Sequence, residues 1–332
     1  MSDAERNVMA DLYTRIRKRL DMTLRDFRSD CRFSLRLGAL RMCANLCGRA
    51  GMTGIAQSAG KKKDAFIRNY LQKTLSPILD RYTADSDYGS YDPNAPIWVC
   101  WWTGEETAPP LVKRCIRSIR ENAGNHPVYL INRDNYTDYL QVPMLMLEKV
   151  KSAQMNLAHL ADYIRVMLLA QYGGLWLDAT MFCSDEIPDD YFEIPLFTCK
   201  SPRQACGYIS ELRWVTFCLG GWKGNVFYRF LAESLERYWE ESPCAVDYLF
   251  FDFVIEFAYD NLPTIRQLLD AVPENNLHRD DLQAAMNAAL PASELENVLN
   301  PDTVLYKLSW RESYSETAED GSESLYKAFI SG

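Results

Sequence analysis

The amino-acid sequence predicts an α/β layer fold preceded by a separate, basic helical region. From residue 97 onwards, short apolar runs of strand length alternate with helical patterns, which is typical of a sheet covered by helices. Before residue 83, apolar residues recur at helical spacing among many Arg and Lys residues. We therefore expect a helical region over residues 1–90 and an α/β domain over residues 91–332, divided at the turn-rich segment 83–96.

Three helices are expected in the amino-terminal region. The first covers residues 4–28, where Val8, Leu12, Ile16, Leu20 and Leu24 recur at steps of four. The second covers residues 30–47 and carries several Arg residues along its length. Four glycines between residues 48 and 60 then interrupt the helical pattern, and a third helix follows Lys63 and runs toward Leu79.

The α/β domain has a regular order of predicted elements. Strands are expected at residues 97–102, 128–131, 175–177, 196–199, 215–219 and 304–308. Helices are expected at residues 110–121, 143–151, 156–171, 226–239, 248–259 and 264–271. The alternation of the two kinds of element predicts a largely parallel sheet.

The charges are distributed unevenly along the chain. The net charge is −9, but residues 1–90 carry +7 and the remainder carries −16. A basic arm on an acidic body favours contact with an anionic membrane surface through residues 1–80, and solvated helix faces are the alternative interpretation. We expect no nucleic-acid partner.

The cysteines, the amino terminus and the apolar runs are the basis for an expected cellular location. The ten cysteines form no CxxC pair and only three histidines accompany them, so a zinc site is not expected. We also expect no secretory leader and no membrane span, because the amino terminus is polar and no apolar run is long enough. The expected location is the reducing cytoplasm, with peripheral attachment to the inner face of the plasma membrane.

Residues 156–183 carry the clearest chemical signal. A helix bearing Asp162 and Arg165 leads into two glycines and an apolar strand that ends on Asp178. Open α/β sheets form their ligand crevice at the carboxyl ends of strands, so Asp178 is expected at a site. The alternatives are an Asx-turn for Asp178 and an intrahelical ion pair for Asp162 and Arg165. Because that helix is otherwise very apolar, its charges need partners, which a polyhydroxyl ligand would supply.

The same stretch resembles a known family. The pattern A-D-Y-I-R-x-x-x-L-x-x-Y-G-G-L-W-L-D-A-T resembles the core motif of glycosyltransferases with a DXD sugar-binding region. The closest likeness is to bacterial capsular polysaccharide synthesis proteins, with a more distant one to the clostridial glucosylating toxins. The resemblance extends over residues 97–310 and implies a GT-A-type nucleotide-sugar-binding fold, in which a Rossmann-like mixed sheet is flanked by helices.

The resemblance also implies an activity. It implies the transfer of a hexose-type sugar from a nucleotide sugar, with a UDP-sugar favoured, to a polysaccharide or lipid-linked glycan during capsule or surface polysaccharide synthesis, with retention of configuration. Two alternatives stay open: an effector of the same fold that glycosylates a protein, and a non-catalytic subunit that binds a nucleotide sugar. A membrane scaffold built on the amino-terminal helices is a third.

The central motif implies roles for four residues. By resemblance, Asp162 and Arg165 contact the nucleotide sugar and Asp178 is the first acid of DXD, which makes these three the candidate catalytic residues. Thr180 stands where the second acid is expected. The implied cofactor is Mn²⁺ or Mg²⁺ at Asp178, with Thr180 and Ser309 as further ligands, because hard cations are held by carboxylates together with substrate phosphates.

Two further segments resemble donor-binding parts of the family. Trp102, Thr103 and Gly104 are similar to a Trp-x-Gly motif whose ring stacks on the nucleobase. From the residues alone, Trp101 and Trp102 point to opposite faces of a strand, so one of them is expected to face the crevice. Ser309 and Trp310 resemble a carboxyl-terminal segment that closes over the diphosphate.

Other polar residues have a functional and a structural interpretation. Asp252 and Glu256, spaced i, i+4 in an apolar run, are candidates for the acceptor side or for a base, against simple solvent exposure. Residues 220–224, GGWKG, form either a loop against the sugar or a strand–helix turn. Asn132 and Asn135 either reach the base or ribose or form a turn.

Overall fold

A computed structural model describes residue 27, residues 30–289 and residues 292–332. The strands of this part of the chain are β1 (Ile97–Cys100), β2 (Val128–Ile131), β3 (Gly174–Leu177), β4 (Met181–Cys183), β5 (Leu196–Thr198), β6 (Cys218–Gly221) and β7 (Leu305–Lys307). The helices are α1 (Leu35–Arg49), α2 (Thr53–Thr83), α3 (Pro110–Glu121), α4 (Met144–Lys151), α5 (Leu157–Tyr172), α6 (Asp190–Glu193), α7 (Val226–Glu241), α8 (Phe250–Asn261), α9 (Pro263–Ala271), α10 (Asp281–Ala285) and α11 (Leu325–Ser331). The helix predicted over residues 4–28 lies, except for Phe27, outside the described residues.

The central sheet is mixed and has the strand order β2-β1-β3-β6-β5. β1 is parallel to β2 and β3, whereas β6 is antiparallel to both β3 and β5. The predicted α/β class with a mixed sheet and flanking helices is confirmed. The expectation of a largely parallel sheet is wrong, because no helix separates β5 from β6 and a parallel neighbour would require such a crossover.

The side chains of the sheet alternate between two apolar cores. Trp98 and Trp176 join one core, together with Leu219 and much of α5, α7 and α8. Ile97, Val99, Leu175 and Leu177 point the other way and pack with α3, β4, β7 and α11. This alternation follows from the period of two along a strand. Both faces of the sheet are therefore covered, and the edge formed by strand ends stays open to a ligand.

The amino-terminal helices α1 and α2 form a helical hairpin that rests on the α/β body. Arg41 and Lys63 both bind Asp247, which precedes α8, at 2.7 and 3.0 Å. The expected interruption between residues 48 and 60 is shorter than predicted, since α2 already begins at Thr53. Burial of one face of α2, including Ala59, Ile67 and Leu71, offsets the roughly 1 kcal/mol that each helical glycine costs.

The glycines beside β3 and β6 serve the packing of the backbone. A side chain at Gly174, where φ is +95°, would clash with the carbonyl oxygen of Pro96, and one at Gly173 would lie 2.6 Å from the nitrogen of Lys223. Gly220 and Gly221 belong to β6, and Gly221 pairs with Gly174 at the start of β3. The GGWKG segment therefore lies at the opposite end of β3 from Asp178 and connects β6 to α7, which agrees with the strand–helix turn and not with a loop against the sugar.

β4 and β7 form a separate antiparallel pair, in which Met181 is opposite Lys307. The strand over β4 is absent from the sequence prediction because it follows Asp178 after only two residues and continues the same apolar run. The pair brings the carboxyl-terminal segment beside residues 178–180, since the nitrogen of Leu308 donates to the carbonyl oxygen of Thr180 at 3.0 Å.

Within the described ranges, every helix is too short or too polar to cross a lipid bilayer.

Candidate functional site

A cavity of about 250 Å³ lies at the carboxyl end of β3. Its walls come from α5, from the ends of β1 and β3, from the start of α8 and from the segment after β7. Six of the residues predicted from the sequence line it: Asp162, Arg165, Asp178, Thr180, Asp252 and Trp310. The fold thus brings together side chains that are up to 148 positions apart in the chain.

Arg165 connects the two carboxylates that the sequence singled out. Its Nη1 donates to Oδ1 of Asp162 at 2.7 Å, and its Nη2 donates to Oδ1 of Asp178 at 3.1 Å. The predicted ion pair within the helix therefore exists, but it extends to a third residue on another element. One guanidinium is shared by two carboxylates, so this group of three carries a net negative charge.

Aromatic rings hold the guanidinium in place. The Cζ atom of Arg165 lies 4.8 Å from the ring centroid of Trp176 and 5.8 Å from that of Phe251. Arg165 is only 5% exposed, and its Nε has no hydrogen-bond partner among the described residues. Burial raises the pKa of Asp162, and Arg165 opposes that rise. The group is preorganised in a place largely shielded from water, where polar contacts are strong.

Asp178 directs its carboxylate into the cavity. Its Oδ1 accepts hydrogen bonds from Arg165 and, at 3.0 Å, from Nε1 of Trp176. Trp176 lies two residues earlier on the same strand face, so a strand period of two places both side chains together. The main chain turns sharply here, since the nitrogen of Met181 donates to the carbonyl oxygen of Asp178 at 2.8 Å. The Asp178 carboxylate therefore binds side chains of the cavity, and this differs from the Asx-turn that was the alternative interpretation.

The tryptophan that lines the cavity is Trp101, whereas Trp102 lies elsewhere. Trp101 makes an edge contact with Trp310, with ring centroids 5.8 Å apart and planes at 82°. Trp102 is half-buried against Tyr136, with centroids 5.4 Å apart. The two rings follow the end of β1 and pack against opposite cores, as alternation predicts, but the ring at the crevice is that of Trp101, the neighbour of the predicted residue.

Four other predicted residues do not line the cavity. Thr103 and Gly104 lie in the loop after β1, where the hydroxyl of Thr103 is 2.6 Å from that of Thr107. Ser309 accepts a hydrogen bond from the nitrogen of Arg311 at 3.3 Å. Glu256 forms two hydrogen bonds with Arg68 of α2, at 2.8 and 3.0 Å, because it lies one helical turn beyond Asp252 on the side that meets the hairpin.

The asparagines after β2 form a turn. The side chain of Asn132 accepts from the nitrogen of Asp134 at 2.8 Å, and Nδ2 of Asn135 donates to the carbonyl oxygen of Leu130 at 2.9 Å. Their polar atoms are thus engaged with the main chain, which agrees with the structural interpretation.

Asp252 lies where two cavities meet. It lines the first cavity and also a second one of about 240 Å³, whose walls include Tyr208, Trp214 and Arg279. Its Oδ1 accepts from Nε1 of Trp214 at 3.1 Å. Burial raises the pKa of Asp252 to about 6, and the hydrogen bond from Trp214 opposes the rise. Asp252 therefore changes charge within reach of neutral pH.

Thr180 has a cationic partner. Nζ of Lys307 donates to Oγ1 of Thr180 at 2.6 Å and to the carbonyl oxygen of Leu308 at 2.9 Å. The sequence analysis did not identify Lys307, because only the pairing of β4 with β7 brings it to this place. Trp176 was also missed as a cavity residue, although strand alternation relative to Asp178 could have identified it, whereas Trp101 had been the alternative to Trp102.

Comparisons with known proteins identify a family. The sequence profile of the capsular polysaccharide synthesis protein family matches residues 51–329, which include every cavity residue named above. An O-glycosyltransferase, braB, from Annulohypoxylon truncatum is 27% identical over 161 residues, which cover 43% of this chain and 37% of that protein. This chain thus spans little more than a third of that relative.

A solved structure is also similar in part. The PaToxG glycosyltransferase matches with a TM-score of 0.33 and 13% identity, covering 64% of this chain and 90% of the other. The family profile, by contrast, covers most of the sequence, including α2, the central sheet and the helices around the cavity. On that match, the chain belongs to the capsular polysaccharide synthesis protein family.

Proposed function

We propose that this protein is a GT-A-type glycosyltransferase that takes a hexose-type sugar from a nucleotide sugar, with a UDP-sugar as the favoured donor. The observation that carries the proposal is the bridge from Arg165 to Asp162 and Asp178 in a cavity at the end of β3. Family membership supports it. So does the likeness to a relative named as an O-glycosyltransferase.

The chemistry of the cavity suits a sugar at one end and an aromatic base at the other. The carboxylates of Asp162 and Asp178 accept hydrogen bonds, which sugar hydroxyls donate. Trp101 and Trp310 form an apolar corner of the same cavity, and such rings stack on flat ligands. We assign the nucleobase to this corner in place of Trp102, and the diphosphate to the edge between Asp178 and Thr180.

We assign the acceptor to the second cavity, with Asp252 between donor and acceptor. This cavity shares Thr216, Leu249 and Asp252 with the first, so a ligand in it would approach the donor from the side of α8. The carboxyl group of Asp252 is placed to bind an acceptor hydroxyl. A growing surface polysaccharide or its lipid-linked precursor is the acceptor class that the family name favours.

The proposed step is a transfer of the sugar from phosphate to the acceptor hydroxyl. The bond between the anomeric carbon and the diphosphate oxygen breaks, and its electron pair leaves with the nucleoside diphosphate. The acceptor oxygen bonds to the anomeric carbon, and its proton passes to the departing diphosphate. Attack from the leaving-group side gives the retention that the resemblance implies. The protein contributes positioning and fixed electrostatics.

We also propose that the hairpin of α1 and α2 rests on an anionic membrane surface at the inner face of the plasma membrane. Residues 31–63 contain seven Arg and Lys residues and no Asp or Glu, and two of the seven, Arg41 and Lys63, are bound by Asp247 of the α/β body. Leu46, Met52 and Ile55 are 48, 46 and 53% exposed near the turn of the hairpin. Basic and apolar groups side by side favour binding to anionic lipid.

Free cysteines throughout the described chain are consistent with the reducing cytoplasm.

Ligand binding and turnover test the proposed function separately. A panel of nucleotide sugars should raise the melting temperature for at least one donor, because a ligand that binds only the native state stabilises it. Release of the nucleoside diphosphate from that donor, increased by an added glycan acceptor, would establish the transferase. Binding without release would favour the non-catalytic subunit, and sugar added to a protein would favour the effector. If no nucleotide sugar binds, the proposal fails.

A further inference from the structure

The position of the second DXD acid holds a neutral residue that already has a positive partner. Thr180 accepts a hydrogen bond from the ammonium of Lys307 at 2.6 Å. The register of β4 and β7 fixes this contact, since Lys307 is opposite Met181, the neighbour of Thr180. The ammonium also lies 5.4 Å from the ring centroid of Phe217. Lys307 is thus held at the edge of the site by two strands and an aromatic ring.

Lys307 forms no ion pair with the described part of the chain. Both of its hydrogen-bond acceptors, Thr180 Oγ1 and the carbonyl oxygen of Leu308, are neutral. An ammonium has three donors, so one remains for a ligand. Arg165 differs, because its single charge is shared by Asp162 and Asp178. Lys307 is therefore the cation at this edge that can complement an anionic group.

The side-chain oxygens of Asp178 and Thr180 fit a divalent cation poorly. Oδ1 of Asp178 already accepts from Arg165 and Trp176, and Oγ1 of Thr180 accepts from Lys307. A metal ion beside them would face a guanidinium and an ammonium at short range. Across residues 30–289 and 292–332, no group of three His, Cys, Asp or Glu side chains is arranged to hold a metal. Mg²⁺ and Mn²⁺ are held by one or two carboxylates together with phosphates, and the carboxylate at this edge, that of Asp178, already has one oxygen engaged by Arg165 and Trp176.

We propose, on the basis of the donor-binding role proposed above, that Lys307 binds the diphosphate of the donor and that binding requires no metal ion. The ammonium would donate a charge-assisted hydrogen bond to a phosphate oxygen and keep Thr180 in place. As the sugar departs, negative charge grows on the diphosphate, and the fixed ammonium stabilises it.

The first test uses the unmodified protein. UDP and GDP binding is measured by calorimetry in EDTA and, separately, with Mn²⁺. We expect at least one nucleotide to bind in EDTA, with an affinity that changes less than about threefold on adding Mn²⁺, a difference small against the tenfold that 1.4 kcal/mol represents. Binding only with Mn²⁺ would overturn this inference and leave the proposed function intact. No binding under either condition would overturn both.

Variants of Lys307 then measure how much its ammonium contributes to nucleotide binding. Lys307→Gln should weaken nucleotide binding in EDTA by roughly 10- to 100-fold, the effect of losing one hydrogen bond from a charged group. Lys307→Arg should largely restore it. The matched control is Lys113→Gln, a surface lysine that also donates to a carbonyl oxygen, at 3.0 Å, and it should bind like the parent. Unchanged binding in folded Lys307→Gln would overturn the role of this residue.

A double variant asks whether the metal site can be rebuilt. In Thr180→Asp with Lys307→Gln, the second acid returns and the ammonium is gone. We expect this protein to bind the nucleotide only with Mn²⁺, and to bind Mn²⁺ itself by electron paramagnetic resonance. If the double variant binds the nucleotide as tightly in EDTA as with Mn²⁺, the ammonium of Lys307 does not take the place of a metal ion, and the inference fails.

Discussion

Nη2 of Arg165 lies 3.1 Å from Oδ1 of Asp178, although the two residues belong to different elements and are separated by a helix end and a strand. Through its other terminal nitrogen, Arg165 also binds Asp162 on its own helix. The guanidinium therefore fixes the position of β3 relative to α5 and holds two carboxylates toward one cavity. Structure and proposed chemistry depend on the same contact.

Asp178 should be required for donor use and dispensable for folding. Asp178→Asn retains an oxygen that can accept from Arg165 and Trp176 but removes the charge. We expect transfer to fall by roughly 100-fold or more, the size of effect that loss of one preorganised electrostatic contact produces. Diphosphate release measures it, with circular dichroism as the test of folding. Asp302→Asn, on the exposed surface, is the control, and equal activity in the two variants would contradict the prediction.

Arg165 and Asp162 should be coupled in stability. Arg165→Met leaves the largely buried carboxylate of Asp162 without its main partner, and we expect a loss of about 3 kcal/mol in the free energy of unfolding. Adding Asp162→Asn should recover part of this loss, because the unpaired charge is gone, while activity stays low. Urea denaturation of the single and double variants gives the coupling energy.

The exposed pair Lys327 and Glu316, at 2.7 Å, provides the control cycle for that experiment. Solvent screens this pair, so Lys327→Met and Glu316→Gln should show little coupling. Additive losses at Arg165 and Asp162 would mean that the bridge does not stabilise the fold.

Stability should depend on pH through Asp252. Its pKa is raised from 3.8 to about 6, so between these values the folded protein binds more protons than the unfolded chain. The free energy of unfolding therefore falls as pH rises from about 4 to about 6, by up to about 3 kcal/mol, and stays lower above that. Asp252→Asn should remove this dependence and be more stable than the parent at about pH 8. Melting temperatures across pH measure it, and an unchanged pH dependence in the variant would disprove the role of Asp252.

The hairpin should bind anionic vesicles through its turn. Leu46→Ser, Met52→Ser and Ile55→Ser together, or Lys61→Gln with Lys62→Gln, should each reduce sedimentation with phosphatidylglycerol vesicles by roughly tenfold. Vesicles of phosphatidylcholine alone should bind weakly, and salt should reduce binding. The control changes exposed apolar residues elsewhere, Met144→Ser with Leu145→Ser on α4. Equal losses in the control, or no losses at all, would exclude the hairpin as the contact.

The local sequence pattern was sufficient to predict several helices and strands. α3 spans Pro110–Glu121 and β2 spans Val128–Ile131, both as predicted, because the apolar residues of α3 recur with the period of a helix and β2 is a short apolar run of strand length. The pair of Asp162 and Arg165 could also be predicted, since spacing on one helix is a local property. So could the emergence of Asp178 at the end of a buried strand.

Contacts between distant segments were decided by the tertiary structure alone. The choice of Trp101 over Trp102 for the cavity depends on the contact of Trp101 with Trp310, and the engagement of Glu256 by Arg68 depends on where the hairpin docks. The contact of Lys307 with Thr180 depends on the register of β4 and β7. The sequence by itself determined that Asp162, Arg165 and Asp178 could do chemistry at the end of β3. Only the folded chain decided which charges meet there, because strand pairing and helix packing join residues that no local period relates.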